Sequence, residues 1–206
     1  VTGRLVVLAS GSGSNLQAIL DACADGSLDA SVVLVVVNRR SAGAADRARL
    51  VGVPATFRPL GPFREQMGEG RAAREAYDAA LADEIASHEP DLVVQAGWMH
   101  LFTSSFLDRF PGRVLNLHPA LPGTFPGPRA IDDAWAAHEE TGLDHTGVMV
   151  HFVPDEGVDD GPVVMSERVA IVGGDTRASL EDRIHSVEHR LLVEAVRQVL
   201  KGDDRW

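Results

Sequence analysis

Lysine, cysteine and tyrosine are almost missing from this chain of 206 residues: Lys201 is the only lysine among 19 basic residues, Cys23 the only cysteine and Tyr77 the only tyrosine. Each scarcity removes a class of chemistry. A P-loop, a Schiff base and a kinase-type phosphate clamp all need a lysine inside the fold, and Lys201 stands close to the C-terminus. Disulfide frameworks and cysteine-only metal sites need at least two thiols. Positive charge is short as well, with a formal net charge of -11. That balance argues against a nucleic-acid or anionic-membrane binder, because both must displace counterions with a basic face. The longest apolar run, residues 32–37, cannot span a bilayer, and the opening RLVVLAS run is too short for a signal-peptide core. A soluble cytoplasmic protein acting on small ligands is expected.

With 45% apolar residues the chain can bury one good-sized core. No repeat or low-complexity tract interrupts it, and the Pro/Gly-rich stretches 58–70, 119–128 and 154–162 are short enough to be loops. One domain over residues 1–206 is the expectation. Continuous apolar runs at residues 5–9, 32–37, 92–96 and 114–117 suit strands buried on both faces. Between them lie helical patterns at 15–24 and 74–88, where Tyr77, Leu81 and Ile85 repeat on one face. Such alternation predicts an α/β fold, a Rossmann-like, mostly parallel sheet flanked by helices. After Thr146 two strand candidates, 146–153 and 163–169, follow one another directly, which predicts an antiparallel or mixed C-terminal edge. A long final helix starts near Asp175 or Thr176, either of which can cap it, with Leu180, Ile184, Val187, Leu191, Ala195 and Val199 on one face.

Three segments carry chemistry. Ser10-Gly-Ser-Gly13-Ser14-Asn15-Leu16 follows the first strand and opens a helix, where free N–H groups bind an anion such as phosphate. The bland alternative is a tight turn in which Ser14 or Asn15 caps the helix. A dinucleotide fingerprint is incomplete, since Leu16 takes the place of the third glycine, although Asn38-Arg39-Arg40 after strand two would suit a 2′-phosphate and keeps an NADP-binding oxidoreductase open. Asn116 and His118 point to one side at the end of a strand, followed by a stiff loop through Gly127. An amide donor beside an imidazole suits acyl transfer, the amide for an oxyanion and the imidazole for a proton, and equally suits a pair that ties down a loop. The acidic run from Asp155 to Asp160 lacks the spacing of a calcium loop, and one of its carboxylates can orient His118 and raise its pKa. His185-Ser-Val-Glu188-His189 matches an inverted zinc-peptidase pattern, but a third ligand is wanting and no metal is expected.

Taken together, Gly11-Ser-Gly-Ser-Asn-Leu-Gln17, Asn116-x-His118-Pro119, Phe125-Pro-Gly127, Val150-His-Phe-Val153 and Asp159-x-Gly-Pro162 resemble the phosphoribosylglycinamide formyltransferases, folate-dependent enzymes of purine synthesis. Arg74-Glu-Ala-Tyr-Asp78 and Ala96-Gly-Trp-Met99 look like further family segments. The resemblance implies a formyltransferase fold and transfer of a formyl group from 10-formyltetrahydrofolate to the amine of glycinamide ribonucleotide (GAR). By matching position, it implies that Asn116 holds the oxyanion, that His118 transfers the proton and that Asp159 keeps His118 suitably protonated. Gly13, Ser14 and Asn15 would bind the ribonucleotide phosphate and Glu188 would lie near the glycinamide end. Arg74 would meet the folate tail, and Met99, His100, Leu101 and Phe102 would line the pterin pocket together with Asn116.

This chain departs from the family in having His100 where an arginine or lysine is usual, and Ala-Leu-Pro122-Gly123 after His118-Pro119. The register favours Asp159, with Asp160 as the alternative. A formyltetrahydrofolate deformylase shares the glycine loop and the Asn-x-His chemistry but carries an N-terminal regulatory domain. With strand one beginning by Arg4, no room for that domain is expected. Monomer and homodimer both stay open.

Overall fold

The computed structural model describes residues 2–202. In chain order the elements are β1 (Gly3–Ala9), α1 (Ser14–Ala24), β2 (Ala30–Val37), α2 (Ala44–Leu50), β3 (Ala55–Phe57), α3 (Gly61–Met67) and α4 (Arg71–Ala86). Then follow β4 (Leu92–Gln95), α5 (Ser104–Leu107), β5 (Val114–His118), α6 (Ala130–Thr141), β6 (His145–Phe152), β7 (Val163–Ala170) and α7 (Arg177–Lys201). The strands form one sheet in the order β3-β2-β1-β4-β5-β6-β7. The first five strands are parallel. The last two run antiparallel to their neighbours.

The continuous apolar runs are explained by two cores. Alternate residues of a strand face opposite sides of a sheet, and in β1 Leu5, Val7 and Ala9 join one core with Leu16 of α1 and Ile184 of α7. Val6 and Leu8 join the other, with Tyr77, Leu81 and Ile85 of α4. A strand buried on both faces has no polar positions to alternate with. Toward the C-terminal edge that cover thins, and β7 is exposed or half-buried except at Val169.

Strand order reverses beside β1, where the loops leaving β1 and β4 meet at the carboxyl ends of the strands, the place at which open parallel sheets hold ligands. Two bonds fix the loops there: Ser10 N–H donates to the Gly97 carbonyl at 2.9 Å, and Met99 N–H to Ser10 Oγ at 3.0 Å.

Thr176 is the N-cap of α7, in a reciprocal capping box with Ser179. Asp175, the other candidate, instead holds Arg183 at 2.7 Å. The short elements β3 and α3 had no sequence signal, because they bury too little to impose a pattern, and the four residues of α5 are too few to repeat one. Among the described residues, no helix is long and apolar enough to cross a membrane.

Candidate active site

Asn116 and His118 sit two residues apart at the end of β5, so both project to the same side. Asp159 reaches them from the loop between β6 and β7. Its Oδ1 accepts from Asn116 Nδ2 at 3.0 Å, and its Oδ2 lies 3.3 Å from His118 Nδ1. Oδ2 also accepts from the Gly127 N–H at 2.8 Å. Asp159 holds a left-handed backbone, φ 53, uncommon for a residue with a Cβ and typical of strained functional positions. Asp160 is exposed, so the structure brings Asp159 and not its neighbour to the strand-end pair.

The loop after β5 turns back on this trio. Thr124 N–H donates to the Leu121 carbonyl at 3.0 Å, closing the turn through Pro122 and Gly123. Phe125, also left-handed at φ 44, aims its carbonyl at His118 Nε2, 3.0 Å away. A carbonyl only accepts, so Nε2 carries the proton and Nδ1 faces the carboxylate. A proton arriving at Nδ1 is thus stabilised by Asp159. Burial nonetheless sets the net direction: it lowers the His118 pKa, while Asp159 pulls it back up. The expected rise is therefore outweighed by desolvation. Asp159 itself is held below the ordinary carboxylate range: burial pushes it up, but the hydrogen bonds and the two histidines beside it win.

At the start of α1 the helix cap is Gly13 and neither Ser14 nor Asn15. Gly13 has φ 79, and a Cβ there would stand 2.6 Å from the Ala44 Cα, so only glycine fits. Asn15 turns its side chain away from the cap and donates to Glu188 Oε2 of α7 at 3.1 Å. Glu188 is 5% exposed, and burial raises its pKa. Gly13, Ser14, Asn15 and Glu188 are therefore assembled at one helix N-terminus, whose free N–H groups suit an anion. His185 lies 3.9 Å from Glu188 and is 41% exposed. No group of three metal-binding side chains occurs among the described residues.

Arg74, Met99, His100, Leu101 and Phe102 line a cavity of about 560 Å³. A small cleft lined by Asn116, His151 and Asp159 shares Leu101 and Phe102 with it, so the two spaces adjoin. Met99 and Leu101 are 48% and 58% exposed, an apolar lip on that cavity. His100 is half-buried between Trp98 and Tyr77, with ring centroids 5.4 and 5.8 Å away. Burial, then the nearby Arg74, push its pKa down to about 4. His100 is accordingly neutral at physiological pH and does not supply the positive charge that an arginine or lysine would carry there. Another cavity, about 660 Å³, lies at the opposite pole beside Gly3, Asp91 and Lys201. It is far from the carboxyl ends of the strands, where open parallel sheets bind their ligands.

A family model described as formyl transferase matches residues 3–196. The phosphoribosylglycinamide formyltransferase of Schizosaccharomyces pombe is 42% identical over 97% of this chain and 98% of its own length. That of Mycobacterium tuberculosis strain CDC 1551 is 44% identical over 94% of this chain and 83% of its own. The crystal structure of glycinamide ribonucleotide transformylase 1 from Symbiobacterium toebii superposes with a TM-score of 0.87 at 39% identity, covering 98% of this chain and 89% of that one. The chain belongs to the phosphoribosylglycinamide formyltransferase family.

Three side chains of this family member acquire a place that sequence reading did not assign. His151 is 2% exposed and lies opposite Asn116 in the β5–β6 register. Its Nδ1 donates to the Phe152 carbonyl at 2.8 Å, leaving Nε2 to accept from Asn116 Nδ2 at 3.1 Å. The Val150-His-Phe-Val153 segment was the available signal. Arg47 braces the glycine loop, donating to the Ser12 carbonyl at 2.8 Å and to Gln17 at 3.1 Å. Glu156 ties the Asp159 loop to Arg71, at 2.8 and 3.0 Å, and to Ser104 at 3.0 Å. Nothing in the spacing of Arg47 or Glu156 signals either role.

Proposed function

We propose that residues 1–206 form a single formyl transferase domain that moves the formyl group of 10-formyltetrahydrofolate to the amine of GAR in purine biosynthesis. It acts in the cytoplasm on two small anionic substrates, without a metal or a nucleic-acid partner. The observation that carries this reading is the meeting of Asn116, His118 and Asp159 beside a cleft that adjoins the Arg74-to-Phe102 cavity, in a chain whose relatives are phosphoribosylglycinamide formyltransferases.

The geometry suits a formyl carbon placed where the small cleft at Asn116 and Asp159 adjoins the 560 Å³ cavity. Attack by the GAR amine forms the new N–C bond and puts negative charge on the formyl oxygen. The Asn116 Nδ2–H that meets the Asp159 carboxylate is the donor the oxyanion takes, inside a site dry enough for one bond to matter. His118, neutral with a free Nδ1, collects the proton that the amine loses, and Asp159 steadies the resulting imidazolium. Collapse breaks the bond from carbon to N10 of the folate, and N10 takes up a proton. The phosphate of GAR rests on the backbone N–H groups of Gly13 to Asn15, with Arg47 behind them, and Glu188 faces the glycinamide end. For the folate, the apolar lip of Met99 and Leu101 covers the flat pterin. The Arg74 guanidinium meets the carboxylate tail.

The test is tetrahydrofolate formation from 10-formyltetrahydrofolate with and without GAR. Turnover that depends on GAR is expected. Turnover with water alone would favour a deformylase, and none with either acceptor would overturn formyl transfer.

A further inference from the structure

Asp78 on α4 has 0% exposure and lies outside the wall of the 560 Å³ cavity, yet both its partners are part of that wall. Its Oδ2 accepts from the Thr103 N–H at 2.7 Å and from Thr103 Oγ1 at 2.9 Å. Its Oδ1 lies 3.4 Å from Arg74 Nε, one helical turn earlier. Neither that Nε nor Oδ1 has a hydrogen-bond partner. Arg74 in turn donates from Nη2 to the Leu101 carbonyl, and its guanidinium stands over the Tyr77 ring at 5.7 Å.

We propose that Asp78 is a positioning residue for the formyl-folate site, one carboxylate that sets Arg74 and the 99–103 segment at the same time. The proposal rests on the formyl-folate reading above. The chemistry favours it over a structural prop. A carboxylate with no exposure is expensive to keep ionised, and burial does push the Asp78 carboxyl up, with Thr103 and Arg74 pulling it back. Holding Thr103 takes only Oδ2, and an amide oxygen would accept those two bonds as well. What a charge adds is a fixed guanidinium: without it Arg74 keeps one backbone acceptor and the freedom to swing into solvent. The two walls of the cavity come from α4 and from the segment after β4, and Asp78 bonds to both.

The experiment is steady-state kinetics of Asp78→Asn on the full chain, with thermal unfolding alongside. The amide can still accept from Thr103, so the variant isolates the grip on Arg74. Losing the buried ion pair with Arg74 predicts a KM for 10-formyltetrahydrofolate raised by about tenfold, the KM for GAR unmoved, and kcat changed by less than the folate KM. The melting temperature should not fall, because a costly buried charge has gone. In an Arg74→Gln background, Asp78→Asn should add little, since the two act as one unit. Thr103→Val, which spares the backbone bond, should raise the folate KM by about threefold and serves if Asp78→Asn does not fold. Equal shifts in both KM values, additivity with Arg74→Gln, or an unaffected Thr103→Val would overturn the role. A wild-type protein with no turnover would strike the formyl-transfer reading itself, whereas an active wild type with an unchanged Asp78→Asn strikes only this one.

Discussion

Replacing Asp159 by asparagine removes one charge while leaving a side chain of the same shape between His118, Asn116 and Gly127. The imidazolium that forms during proton transfer then loses its counter-ion. At the observed 3.3 Å and an effective dielectric of about 20, unit charges attract by roughly 5 kcal/mol, which is an upper bound. The carboxylate is only 11% exposed, so little is lost to solvent screening, but the amide recovers part of the interaction as a dipole. If about half is lost, 2–3 kcal/mol, kcat falls by roughly 30- to 150-fold. The assay is initial-rate formation of tetrahydrofolate at saturating GAR, with Asp160→Asn as a partner because Asp160 faces solvent. Asp160→Asn should stay near the wild-type rate. An Asp159→Asn rate within about threefold of wild type, or an equal loss in Asp160→Asn, would refute the account of charge stabilisation at His118.

Other expectations are as direct. Asn116→Ala and His118→Ala should each cut turnover by at least about 100-fold while calorimetric GAR binding persists, because the phosphate contacts belong to the Gly13 loop. Retained turnover in either variant would remove it from the mechanism. Burial lowers the His118 pKa from 6.5, so its base form persists below that pH and the acid limb of kcat/KM should lie under 6.5. Asp159 raises that pKa, so the limb should move further down in Asp159→Asn; a limb above 6.5, or one that moves up, contradicts this. For Glu188 burial raises the folded pKa above 4.5, so stability is lost as pH rises from 4.5, where the unfolded chain ionises first, through the folded value. Glu188→Gln should thus melt higher at pH 7 than wild type, lose that advantage below pH 4.5 and bind GAR more weakly; equal melting curves at both pH values would count against it.

What the sequence discloses and what it hides divide along physical lines. The parallel strands are legible because burial on both faces writes a continuous apolar run, and the C-terminal antiparallel edge because two strand patterns adjoin without a helix between them. β3, three half-buried residues, writes no pattern. Asn116 and His118 are legible as a pair since alternation alone puts them on one side. His151 is not, because a histidine inside an apolar run looks like core until the β5–β6 register sets it opposite Asn116. Asn15 reads as a helix cap from its position, and only the fold brings Glu188, far along the chain, to its amide. Long-range pairs of this kind leave no trace in spacing. Composition gains a physical sense too: with a single lysine, the positive ends at the glycine loop are helix N–H groups and Arg47, and the titratable pair at the end of β5 is an imidazole and a carboxylate.

The central claim is that the trio at the end of β5 passes a formyl group to an amine. A single turnover with 10-formyltetrahydrofolate carrying an isotopic label in its formyl carbon, in the presence of GAR, tests this most directly. The account predicts that the label appears in N-formyl GAR and that none does so with His118→Ala. Label recovered as formate, or left on the folate while GAR is bound, would contradict it.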